Sequence, residues 1–145
     1  MKITINESAA YSEPEVIICC REMDDPLRRV VAAIRLANGK LIGRQDNRSF
    51  ILDAGDIYYF EAVDGRVFIY TESQVYETSL RLYEIEARFE ATDLFRASKS
   101  AIANISKFKS LKAVFNGRFE AVLHNGEKIL ISRQYVPALK KMLGM

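Results

Sequence analysis

Between Phe95 and Gly144 the chain alternates apolar and polar residues, and turn-forming pairs interrupt the alternation. Asn116-Gly117 divides KSLKAVF from FEAVL, and Asn125-Gly126 divides FEAVL from KILIS. A period of two places successive side chains on opposite faces of a strand. Asn-Gly supplies residues that can reach the positive φ a tight hairpin turn needs. The segment is therefore expected to be an antiparallel meander whose turns and ends carry most of its lysines and arginines. Asp64-Gly65 repeats the signal upstream, with Arg66 at the exit of the turn. Strand patterns also cover Ser49–Leu52, Asp56–Val63, Arg66–Thr71 and Gln74–Glu77. The fold class is mainly β with short helices, an α+β arrangement.

The helical signals are brief. Ser79 to Phe89 places Leu82, Ile85 and Phe89 on one face, and Val136, Leu139, Met142 and Leu143 stripe the last segment. Pro137 clashes deep inside a helix, so the regular ladder is expected from Arg133 or later, with Ser132 able to cap it. Towards the N-terminus, Lys2–Ile5 and Glu15–Cys20 read as strands, the second buried. Asp25-Pro26 then opens a helix with Leu27, Val30, Val31 and Ile34 on its packed face, and Asn38-Gly39 ends it. Arg44 to Arg48 form a polar joint. Residues 1–46 are thus expected to be a small β-β-α extension. Too small for its own core, it would lie against the rest or pair with a second copy. Residues 47–145 form the main domain.

About half of the residues are apolar, enough for a core without disulfides or metal. Cys19 and Cys20 are adjacent and would point to opposite faces of a strand, which suits neither a disulfide nor a metal centre. They are expected to be small buried or half-buried residues. His124 beside a hairpin turn has no triad partners, and no glycine-rich phosphate loop is present. Nothing argues for an enzyme, a cofactor, a metal or a small-molecule substrate. No apolar run approaches the ~18 residues of a membrane span, and the start lacks a signal peptide's apolar block. A soluble cytoplasmic protein is expected.

Charge points to a partner. Residues 95–145 carry ten Lys/Arg against Glu120 and Glu127, an excess of +8, whereas the preceding 94 residues sum to −6. Such asymmetry suits an anionic partner for the basic part. Tyr58, Tyr59, Phe60, Phe68 and Tyr70 lie in strand patterns, so packing is their first explanation. A stacking platform for single strands is the alternative.

The blocks DIYYFEAVDGRVFIYT, VYETSLRLYEIEARF, FRASKSAIANISKFKSL and GRFEAVLHNGEKILISRQYVPALKKMLG, in that order, resemble the LytTR family of bacterial DNA-binding domains. The likeness spans about residues 47–145. It implies an elongated antiparallel β domain with short flanking helices, not a helix-turn-helix. It also implies a transcription regulator reading two successive major grooves of double-stranded DNA with loop side chains. Many relatives join this domain to a response-regulator receiver; residues 1–46 have neither the room nor the acidic pocket for one. Carried onto this chain, the first DNA-reading loop falls at Asp64, Gly65 and Arg66. The second falls at Ala97, Ser98, Lys99 and Ser100, and the third at Ser132, Arg133 and Gln134. Arg133 is the foremost candidate for a base contact. Ala97 stands where some relatives have a redox-active cysteine. Lys107, Lys109, Arg118 and Lys128 would add affinity without sequence preference. A homodimer, or tandem binding on repeated half-sites, completes the expectation. The competing readings are an RNA or single-strand binder and a protein-interaction module with an acidic partner. Asn104, after the second loop, is expected to tie down backbone.

Overall fold

Two antiparallel sheets carry the fold in a computed structural model that describes residues 1–145. The larger is built from β1 (Lys40–Gln45), β2 (Arg48–Asp53), β3 (Tyr59–Val63), β4 (Arg66–Tyr70), β5 (Val75–Thr78), β6 (Leu94–Ser98) and β7 (Ala101–Asn104), in the order β2-β1-β5-β4-β3-β7-β6. The smaller is the meander β8 (Phe108–Ala113), β9 (Phe119–Leu123) and β10 (Lys128–Ile131), in the order β10-β9-β8. The expected single meander is thus split: β6 and β7 join the large sheet, and the chain crosses to the second sheet at Ile105–Lys107.

Alternation along the strands of the large sheet supplies a core on each face. Phe60, Val67, Ile69 and Ile102 pack with Leu82, Ile85 and Phe89 around helix α2 (Leu82–Arg88), joined by Leu36 and Leu41. Tyr58, Phe95, Ala97 and Ala103 face the other way, against Ala121, Leu123 and Ile131 of the small sheet. Val136 and Leu139 of helix α3 (Val136–Leu143) close that second core. Each large apolar side chain removed from water contributes ~1.5–3 kcal/mol. The small alanines let the two sheets approach closely.

The hairpin signals are realised. Asp64-Gly65, both at positive φ, make the two-residue turn between β3 and β4, and Asn116 and Gly117, also at positive φ, complete the three-residue turn Phe115–Gly117 between β8 and β9. Leu27 N–H is capped by Asp24, one residue earlier than the Asp25-Pro26 signal suggested, at 2.9 Å in helix α1 (Asp25–Ala37). Ser132 makes no side-chain cap; a single 3₁₀ turn at Arg133–Tyr135 precedes α3 instead. No helix is long and apolar enough to cross a membrane.

The N-terminal expectation needs correction. Residues 1–24 contain no strand, and Val16 and Ile17 are 66% and 74% exposed. Cys19 and Cys20 are free and exposed as well. A β-prone run becomes a strand only when another strand takes up its backbone hydrogen bonds, and none lies beside this one. Conversely, the polar joint at residues 44–48 is the turn of the β1–β2 hairpin, with Asp46 and Asn47 both at positive φ. β1 pairs with β5, so the expected boundary at residue 46 runs through one hairpin of the large sheet. Gly43 permits this: a Cβ there would lie 2.7 Å from that of Tyr76.

One buried polar side chain ties down the start of β3. Asn104, fully buried, donates to the Ile57 carbonyl at 2.8 Å and accepts from Ser106 N–H and Oγ at 3.1 and 2.7 Å. Asn104→Ala leaves those groups without partners. It is expected to lower unfolding free energy by about 1–3 kcal/mol, read as an earlier midpoint in urea. An unshifted midpoint would show that water replaces all three bonds at no cost.

Candidate nucleic-acid interface

Strand register brings three of the expected loops to one end of the molecule. The β3–β4 turn lies beside the β6–β7 turn because β3 pairs with β7, and Ala62 N–H donates to the Ser100 carbonyl at 2.8 Å. The segment leaving β10 lies beside the end of β6, where Ser132 N–H donates to the Ala97 carbonyl at 2.8 Å. Asp64, Gly65, Arg66, Ser98, Lys99, Ser100, Ser132, Arg133 and Gln134 are therefore gathered at the same end.

Two arginines hold the turns from behind. Arg81, just ahead of α2, donates to the Gly65 carbonyl at 3.0 Å. Arg96, largely shielded, donates to the Ser98 and Lys99 carbonyls at 2.8 and 2.7 Å and lies 3.9 Å from Glu86. Neither stood out from the sequence as more than a basic residue. Only the three-dimensional path of the carbonyls reveals what they do. Ser100 N–H and Oγ lie 3.2 and 3.4 Å from Ser98 Oγ, so this turn is also bonded internally.

The cations differ in availability. Arg66 is forked onto Glu77 through two bonds of 2.8 Å and lies 5.2 Å from the centre of the Phe68 ring. Lys99 and Arg133 are exposed and take part in no ion pair. Lys128 is not brought to this end. It starts β10 rather than ending it, and the preceding turn bonds to the Glu72 carbonyl through Asn125 at 3.0 Å, beyond the opposite end of β4. Lys107 lies at that far end too, its carbonyl accepting from His124 N–H at 3.0 Å.

The turn that the expectation passed over is β8–β9. Gly117 abuts Arg133 so closely that a Cβ there would lie 3.0 Å from Arg133 Cδ. This turn, Phe115–Gly117, therefore belongs to the same end, with Val114 and Arg118 at its base. The strand aromatics, by contrast, are engaged in packing. Tyr58 and Phe60 are buried, and Tyr59 stacks on Tyr70 at 4.2 Å. Burial and nearby Glu127 hold the Tyr59 hydroxyl protonated far above its usual range.

A rigid β scaffold presenting several short, cationic turns on one side defines a loop-presenting recognition domain. The chain belongs to the LytTR family: the LytTr DNA-binding domain matches residues 47–144. It is similar to the sensory transduction protein LytT of Enterococcus faecalis, 30% identical over 100 residues, covering 69% of this chain and 41% of that one. It thus spans about two-fifths of the length of the LytT relatives. A Staphylococcus aureus protein described as an HTH-type transcriptional regulator is 26% identical across 100% of this chain and 99% of its own. The solved LytTr DNA-binding domain of a methyl-accepting/DNA response regulator from Bacillus cereus shares the fold. Its TM-score is 0.70 at 20% identity, covering 74% of this chain and 99% of that one.

The Arg66 guanidinium holds the Glu77 carboxyl below its ordinary value of 4.5. A depressed folded-state value makes the pair's contribution complete above that range and lost as pH falls through it. The difference in melting temperature between wild type and Glu77→Gln is therefore expected at neutral pH and should shrink steadily as pH falls below the ordinary glutamate range. A difference persisting in acid would mean that the pair is not its source.

Proposed function

We propose that this chain is a sequence-specific regulator of transcription that binds double-stranded DNA through the turn-bearing end, acting in the cytoplasm. The observation that carries the reading is the pair of backbone bonds, Ala62 to Ser100 and Ser132 to Ala97, which set three turns side by side. Neighbouring strands lie ~4.8 Å apart and face-packed sheets ~10 Å apart in the perpendicular direction, so the turns from β4 across to the small sheet span on the order of 17 Å. That is about half of the ~34 Å of one helical turn of DNA, so reaching two successive major grooves calls on the length of the outermost side chains, Arg66 and Arg133, as well as on the turns. No two of the three α-helices are consecutive in the element order, so recognition would fall to turns rather than to a helix-turn-helix.

In this reading Arg133 forks onto a guanine edge, which offers two acceptors in the major groove. Lys99 meets a base or phosphate as a point charge, and Ser98, Ser100, Ser132 and Gln134 serve phosphate oxygens. Asp64 and Gly65 shape the first turn, while Arg66 must exchange Glu77 for DNA to take part. Lys128 has no place in the interface. Residues 1–37, the part of the expected extension that lies ahead of β1, serve assembly of two copies on repeated half-sites. Support comes from the half-buried Leu27, Val30, Val31 and Ile34 of α1 and from the exposed Val16 and Ile17.

The test is site selection from a random duplex pool followed by titration. Arg133→Ala should weaken binding to the selected duplex by about 1–3 kcal/mol and relax preference at one base position. Lys128→Ala should leave both unchanged. Equal losses on selected and random duplexes with Arg133→Ala would sink its role as a base reader.

A further inference from the structure

We infer that the β8–β9 turn is a fourth contact point and that Phe115 at its tip packs directly against duplex DNA beside Arg133. This rests on the DNA-binding reading and extends it to an uncharged residue. The turn is firmly built. Asn116 and Gly117 have φ of 65° and 73°. Val114 N–H donates to the Arg118 carbonyl at 2.9 Å, and Arg118 Nε donates to the Phe115 carbonyl at 3.1 Å. The aliphatic stem of Arg133 lies on Gly117, where even a Cβ would be crowded at 3.0 Å. The tip and Arg133 therefore present themselves together.

Phe115 adds nothing to either core. It is 79% exposed, more than any other large apolar side chain between Asp25 and Leu143, the next being Ile51 at 74% and Tyr83 at 70%. A single exposed apolar residue is ordinary by itself. This one is held on a rigid turn next to a guanidinium that has no acidic partner. Deoxyribose faces and base edges offer apolar surface that cationic side chains leave unused, and apolar residues of DNA-binding proteins pack or wedge there. Such a contact displaces no counterion, so its share of affinity does not depend on salt.

The chain has no tryptophan, so Phe115→Trp installs a single reporter at the tip. The probe is a labelled duplex recovered from a random-sequence pool by the full wild-type chain. Tryptophan emission is expected to change in step with duplex anisotropy. Phe115→Ala should bind about tenfold more weakly, with melting temperature and the slope of log affinity against log salt as in wild type. The inference is overturned if emission stays constant at saturating duplex. It is also overturned if Phe115→Ala binds like wild type while Lys99→Ala weakens binding, which leaves the DNA reading intact. A change in the free protein's sedimentation at unchanged affinity per copy would assign Phe115 to a copy–copy contact instead. Failure of the wild type to bind any duplex would remove the DNA reading itself.

Discussion

The placement of the turns after β10 and β8 beside those of the large sheet depends on how the two sheets meet. Ser132 N–H bonds to the Ala97 carbonyl at 2.8 Å, so the end of β10 is fixed against the end of β6 by main chain alone. This approach is possible because Ala97, Ala103 and Ala121, each fully buried, line the junction. Larger side chains in so dense a core would force the sheets apart or drive neighbours off their rotamers. Arg133 would then shift relative to Lys99. Spacing of the turns is thus set in the interior, while their chemistry is set at the surface.

Arginine takes two roles at this end. Arg81 and Arg96 spend their donors on carbonyls of the turns, and the planar fork suits the task because it loses little freedom per bond formed. Arg66 spends its fork on Glu77. Lys99 and Arg133 remain as cations without an acidic partner. A turn held by its own carbonyls keeps its side chains in place before any ligand arrives, which lowers the ordering cost of association. The fork on Glu77 also screens Arg66 from nonspecific anions.

Local signals were legible in the sequence where the physics is local. Asp64-Gly65 and Asn116-Gly117 announce positive φ, and the alternation on either side of them announces strands; both appear as read. What stayed hidden is pairing between distant segments. The run from Val16 to Cys20 has the composition of a buried strand, yet composition does not supply the neighbour that would make it one. β1 was missed for the opposite reason. Gly43 in the middle of a short segment weakens its strand signal, and the residue is needed only because Tyr76 passes so close. Lys128 shows the same limit within the site. A basic residue one strand away from Arg133 looks like part of one surface until register places it at the other end.

Charge counting along the chain overstates what one copy can offer a polyanion. Residues 95–145 hold ten bases, but Lys107 and Lys128 lie at the far end and Arg96 faces inward. Lys112 lies 3.7 Å from Glu120. Lys99, Arg118 and Arg133 remain at the turns with Asp64 among them, and Lys140, 5.5 Å from the Phe119 ring, stands close by. Each phosphate neutralised contributes a slope of only ~0.9 in log affinity against log salt. In the proposed reading, so few free cations at the turns leave the preference for one sequence to fit rather than to charge. Were two copies linked on adjacent half-sites, as proposed, the second engagement would be intramolecular and affinity would rise without a single added cation on either surface. The exposed apolar residues of the first 24 positions and the half-covered stripe of α1 lie outside the turn-bearing end, where such a link would leave recognition undisturbed.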